Sequence, residues 1–185
     1  MRKNYFSKAV ITTLISGILL GAVSVFFHTT STTDLYGAWI PGFYQGEQLE
    51  ILVKSAFLTI FFTISVLITG LFMFGYLFVL PINYYYGYTV GFLSACAMRC
   101  FGTYSTPFVV LKLPTVAMMI LILHKLSYSS AELSAEILSR SFSEKSCKKT
   151  ARYLYFGIIY IILTGIPLVY DSVLVPKLLN LWDSF

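Results

Sequence analysis

The chain has 185 residues, of which 57% are hydrophobic and only 11% are charged, and its mean hydropathy is +0.79. A soluble domain carries about 25% charged residues, so this chain has too few charges to coat a soluble surface. The formal net charge is +5, but the placement of the basic residues indicates membrane topology and not nucleic-acid binding. The length allows one domain, and the composition predicts that it lies in a membrane.

Five apolar stretches are long enough to cross a bilayer, which takes about 20 residues of helix. We expect spans at residues 9–27, 52–71, 76–98, 107–126 and 152–174. A signal peptide is the alternative for the first stretch, but its apolar core exceeds the usual ~7–15 residues, so we expect an uncleaved helix. The second and third spans form one apolar run, with the break expected near Gly70–Gly75. The predicted fold class is an all-α, polytopic transmembrane helix bundle forming a single membrane domain.

Two segments outside the spans have a distinctive composition. Residues 28–50 form a polar connection rich in aromatic residues, which favour the membrane–water boundary. Residues 127–150 are the only sizeable charged segment, and their apolar residues recur at helical spacing. We interpret this second segment as an amphipathic helix that either lies on the membrane or extends the fourth span.

Basic residues are concentrated at two places in the chain. Three precede the first span, and six lie between Lys125 and Arg152, whereas residues 28–50 contain none. Cytoplasmic segments of membrane proteins carry the excess of lysine and arginine. The sequence therefore predicts an N-inside, C-outside orientation, with segment 127–150 in the cytoplasm.

Small residues recur every four positions in two of the predicted spans. Gly87, Gly91 and Ala95 do so in the third span, and Gly17 and Gly21 do so in the first. Such ridges let helix backbones approach closely, which favours packing in lipid. We expect packing within the chain, and a subunit interface of a homo-oligomer is the alternative.

Two opposite charges lie at a similar depth in different spans. Lys112 is in the fourth span and Asp171 is in the fifth. A charge at the bilayer centre costs about 2.5–3.5 kcal/mol on insertion scales. We hypothesise an intramembrane ion pair, the alternative being that each side chain reaches outside water separately. Asn83 also needs a hydrogen-bond partner if it is buried. We expect a contact between helices, and the alternative is a polar site with the hydroxyls of Tyr84–Tyr86.

Catalytic and metal-binding patterns are missing from the sequence. It contains no His-Glu-x-x-His zinc motif and no phosphate-binding glycine loop. His28 and His124 are far apart in depth, and the three cysteines are an odd number that does not suggest a disulfide framework. We therefore predict no enzymatic activity, no metal and no cofactor.

The stretch 78–134 resembles the stage II sporulation protein M family of integral membrane proteins. The resemblance lies in Pro81, a glycine-rich core and a following span that contains prolines, and then in a polar segment with serine and leucine. The residues that carry it are Gly87, Gly91, Phe92, Leu93, Pro107, Pro114 and Ser127–Ser134, with Asp171 and Pro176 near the end of the last span.

The resemblance implies five spans and a non-enzymatic role in the bacterial cytoplasmic membrane. In that family the sporulation protein anchors peptidoglycan hydrolases at the septal membrane during engulfment. We therefore expect a scaffold for cell-wall remodelling partners, with residues 28–50 as a natural contact surface. More distant members lie beside transporter components, so the alternative is a small permease subunit of an exporter that docks a cytosolic ATPase through segment 127–150.

Overall fold

The computed structural model describes residues 3–27, 48–101, 106–138, 144–175 and 177–178, and within these ranges all regular secondary structure is helical. Residues 28–47 of the predicted polar connection, and Pro176, lie outside the described residues. The elements in chain order are α1 (Lys3–Phe27), α2 (Gln48–Thr69), α3 (Gly75–Phe101), α4 (Thr106–Leu138) and α5 (Glu144–Val169), which continues into a π-helical turn (Tyr170–Leu174). The predicted all-α class is confirmed for this part of the chain.

Among the described residues, three helices are long and apolar enough to cross a membrane. They are Tyr5–Phe27, Val109–Leu138 and Lys148–Leu174, and α2 contributes a shorter apolar stretch, Thr59–Thr69. In α1 the large apolar residues Ile15 and Leu19 are exposed, whereas Leu14 on the other side is buried. An outward-facing apolar stripe of this kind suits lipid and would be unfavourable in water.

The helices α1 and α3 run parallel, and α4 and α5 run antiparallel. Val10 packs with Val79 at one end, and Val25 packs with Ala97 at the other, which fixes the α1–α3 direction. The α2–α3 turn (residues 70–74) defines what we call the turn end of the bundle, where the last residues of α4 and the first of α5 also lie.

The α2–α3 turn occupies the place where the sequence predicts a break. The backbone N–H of Gly75 donates to the carbonyl of Phe72 over 3.0 Å. A Cβ added at Gly75 would overlap the carbonyl of Thr69, so only glycine fits the start of α3 here.

The described residues of segment 127–150 belong to α4 and α5 and not to a separate surface helix. Its first half continues α4 as far as Leu138, and its last residues belong to α5. With 33 residues, α4 is about 50 Å long, against a hydrocarbon thickness of about 30 Å. Of the two interpretations left open by the sequence, the structure takes the extension of the fourth span, with residues 139–143 outside the described residues.

Candidate functional site

An ion pair between α4 and the π-helical turn is the most unusual polar feature of the bundle. The Nζ atom of Lys112 lies 2.6 Å from Oδ2 of Asp171. The hydroxyl of Thr115 donates to Oδ1 of the same carboxylate over 2.7 Å. Because Lys112 and Thr115 are three residues apart, they share a face of α4 and engage both carboxylate oxygens together.

The π-helical turn places Asp171 inside the bundle. The backbone N–H of Val175 donates to the carbonyl of Tyr170, five residues earlier, which is the wide spacing of a π turn. Asp171 and Ser172 are adjacent, yet both are buried in this turn. The hydroxyl of Ser172 donates to the carbonyl of Leu168 over 2.8 Å, which satisfies its own donor. Single π turns of this kind occur frequently at functional sites.

The burial of the pair sets its energetic role. The side chain of Lys112 is 20% exposed and that of Asp171 is 8% exposed. Removing one partner of a buried pair costs about 3–5 kcal/mol, because the other charge is left without compensation. The pair therefore couples the conformations of α4 and α5 near the end of the bundle opposite the turn end.

The glycines of α1 bring this helix into backbone contact with α3. A Cβ added at Gly17 or Gly21 would overlap backbone atoms of Tyr84 and Tyr88. Both glycines are fully buried in this contact. The ridge that the sequence indicates in the first span is therefore occupied within the chain.

The glycines of α3 complete the contact from the other side. A Cβ at Gly87 or Gly91 would overlap backbone atoms of Leu14 and Ile18, and Ala95 packs nearby against the cluster around Val25. The four glycines thus lie in the contact between α1 and α3 in this structure. Reciprocal glycine contacts of this kind allow the closest approach of two helices.

A column of serines on α4 ties three helices together near the turn end. Ser127, Ser130 and Ser134 are all fully buried. Ser130 donates to the carbonyl of Val66 in α2 over 3.0 Å, and Ser134 donates to the carbonyl of Phe72 in the turn over 2.8 Å. The spacing of three and four residues, which is visible in the sequence, puts the column on one face of α4.

Asn83 is bound by this column and not by the neighbouring tyrosines. Its amide nitrogen donates to the hydroxyl of Ser127 over 2.8 Å and to the carbonyl of Val79 over 2.7 Å. The contact between helices that the sequence indicates is present, but its partner is Ser127 and not one of Tyr84–Tyr86, because successive residues of a helix point in different directions. Among the described residues nothing donates to the buried Oδ1 of Asn83.

A cavity of about 250 Å³ opens between α4 and α5 at the turn end. Four charged side chains line it, namely those of Glu132, Glu136, Lys149 and Arg152, and the rest of the lining is largely apolar or aromatic. Lys149 Nζ lies 2.9 Å from Glu136 Oε2, in a pair whose lysine side chain is 58% exposed. An exposed pair of this kind adds little to stability.

Metal ligands do not cluster in the part of the chain that the structure describes. No three histidine, cysteine, aspartate or glutamate side chains there are placed to hold an ion. Cys96 is buried in the packing of α1 against α3, and His124 places Nε2 3.3 Å from the hydroxyl of Ser7 in α1. His28 lies outside the described residues.

Comparison with protein families, curated proteins and solved structures finds no match for this chain.

Proposed function

We propose that the chain is a non-enzymatic scaffold of the bacterial cytoplasmic membrane, with five spans, that organises cell-wall remodelling partners at the outer face. The observation that carries this proposal is the set of ties that hold the helices together at several depths. Backbone contacts join α1 to α3, buried serines join α4 to α2 and to the turn, and an ion pair joins α4 to α5. A bundle fixed in this way suits a platform that presents its helix ends in a constant arrangement.

The course of α2 and α3 supports five spans in place of three. α3 accompanies α1 from Val79 to Ala97, so it crosses the same depth as a helix that is apolar enough to span the membrane. Its tyrosines lower its hydropathy, but Tyr86 is buried inside the bundle. The tight turn connects α2 to α3, so that α2 lies beside α3 and runs in the opposite direction. The 22 residues of α2 extend about 33 Å.

The distribution of basic residues supports an N-inside orientation. The turn end carries Lys8, Lys148, Lys149 and Arg152, all exposed. Because cytoplasmic ends of membrane helices carry the excess of positive charge, the turn end is the cytoplasmic end in this proposal. The Lys112–Asp171 pair then lies towards the outer face.

The choice of wall-remodelling partners rests on the resemblance of residues 78–134 to the stage II sporulation protein M family. Its test is purification of the full-length protein from bacterial membranes in a mild detergent after cross-linking at the outer face. We expect an extracytoplasmic peptidoglycan hydrolase to co-purify. Recovery of a cytosolic ATPase, with no wall enzyme, would reject the scaffold.

The second candidate is a permease subunit of an ATP-driven exporter. The observation that favours it is the charged cavity at the turn end, where segment 127–150 meets the cytoplasm in the proposed orientation. An ATPase bound at this site would be lost when residues lining the cavity are changed. Partners bound at the outer face would be retained in the same variants, which separates the two candidates.

A further inference from the structure

The cavity between α4 and α5 has a charged part and an apolar part that succeed each other along α5. The charged side chains of Lys149 and Arg152 line the cavity near the start of α5, and the aromatic side chains of Phe156 and Tyr160 line it further along the helix. Eight residues separate Arg152 from Tyr160, which corresponds to about 12 Å of helix. The cavity therefore changes from charged to apolar as it extends away from the turn end.

Two opposite charges in this cavity are not engaged in a salt bridge within the part of the chain that the structure describes. Glu136 is already bonded to Lys149. The carboxylate of Glu132 and the guanidinium of Arg152 form no salt bridge or hydrogen bond with any of the residues that the structure describes, although both line the same cavity. The cavity is thus lined by a carboxylate and a guanidinium whose hydrogen-bonding groups are not used by the described residues and are available to a ligand.

The size of the cavity limits what can bind there. The cavity has a volume of about 250 Å³. This is below the ~300–1,000 Å³ of sites for drug-sized ligands. It suits a small zwitterionic group, with the rest of an amphiphile lying along the apolar part.

We propose that this cavity binds the headgroup of an aminophospholipid, with its phosphate at Arg152 and its primary ammonium at Glu132. Arginine presents a planar set of donors that matches phosphate oxygens, and a primary ammonium offers three donors to the carboxylate. An acyl chain follows the surface past Phe156, which is 45% exposed, towards Leu163, which lies two turns further on the same face of α5 and is 37% exposed. The site thus takes a lipid from the leaflet at the turn end, independently of the function proposed above.

The test is native mass spectrometry of the full-length protein with an equimolar mixture of phosphatidylethanolamine, phosphatidylcholine and phosphatidylglycerol. We expect preferential retention of phosphatidylethanolamine. Phosphatidylcholine keeps the zwitterion but lacks ammonium N–H donors, and phosphatidylglycerol keeps the phosphate without an ammonium. Equal retention of the three lipids, or preference for phosphatidylglycerol, would overturn the proposal, and this comparison needs no variant.

Single variants test the two charged contacts. Hydrogen bonds to charged groups contribute about 1.5–3 kcal/mol, so Glu132→Gln and Arg152→Gln should each lower phosphatidylethanolamine retention about tenfold or more. Lys8→Gln removes an exposed charge of α1 that does not line the cavity and should leave retention unchanged. Unchanged retention in both cavity variants, or occupation of the cavity by a protein segment that displaces lipid, would reject the site.

Discussion

The substitution Asp171→Asn tests the role of the intramembrane pair. Asparagine keeps the shape and an oxygen that can accept from Thr115, but it removes the charge opposite Lys112. Breaking a buried pair costs about 3–5 kcal/mol. Because the Lys112 side chain is 20% exposed and can reach partly towards water, we expect a loss at the lower end of this range, about 3 kcal/mol of the free energy of unfolding. This corresponds to a change of roughly 100-fold in the folding equilibrium.

The assay is reversible unfolding by SDS in mixed micelles, with the wild type and variants compared under the same conditions. The control is the double variant Lys112→Met/Asp171→Asn, which leaves no uncompensated charge and should lie within about 1 kcal/mol of the wild type. The reasoning is refuted if the free energy of unfolding of Asp171→Asn lies within about 0.5 kcal/mol of the wild-type value. It is also refuted if the double variant is no more stable than the single one, because an uncompensated charge would then not explain the loss of stability.

Further substitutions test the helix contacts in the same unfolding assay. Gly91→Ala forces α1 and α3 apart and should lower the free energy of unfolding by about 1–3 kcal/mol. The control Gly165→Ala, whose added Cβ meets nothing within 4 Å, should be neutral or stabilising by up to about 1 kcal/mol. Equal effects of the two variants would contradict the close approach of α1 and α3. Tyr153→Phe removes a 2.9 Å hydrogen bond to α2 and should lower the free energy of unfolding by about 1 kcal/mol. An unfolding midpoint equal to that of the wild type would contradict this expectation. Ser127→Ala removes a partner of the Asn83 amide and should cost about 1–3 kcal/mol; no loss would show that the buried bond is not needed.

Local features of the fold can be predicted from the sequence because each depends on few neighbouring residues. The break at Gly70–Gly75 follows from the length of a bilayer span and from a glycine that alone fits the turn. The glycine ridges follow from four-residue spacing. The positions of Lys112 and Asp171 within their predicted spans place them at a similar depth in the membrane, and in the structure they form an ion pair.

Other features depend on how each helix is rotated and on which helix it faces. Thr115 binds the second carboxylate oxygen of Asp171 because it lies on the same face of α4 as Lys112. The three-residue spacing is present in the sequence, but it indicates a contact only once that face is known to meet α5. The partner of Asn83 is Ser127 in another helix, 44 residues away. Among the described residues, α3 does not count as apolar enough to cross a membrane. Hydropathy scores each tyrosine as polar, even where, as for Tyr86, the side chain is buried.

The side of the membrane on which the α2–α3 turn lies tests the five-span arrangement most directly. In that arrangement the turn is cytoplasmic, whereas an arrangement in which only α1, α4 and α5 cross would leave it outside. The measurement is labelling of Met73→Cys, in a variant without the three native cysteines, by a membrane-impermeant maleimide. We predict labelling only after the cells are opened. Labelling of Met73→Cys in intact spheroplasts would contradict the account.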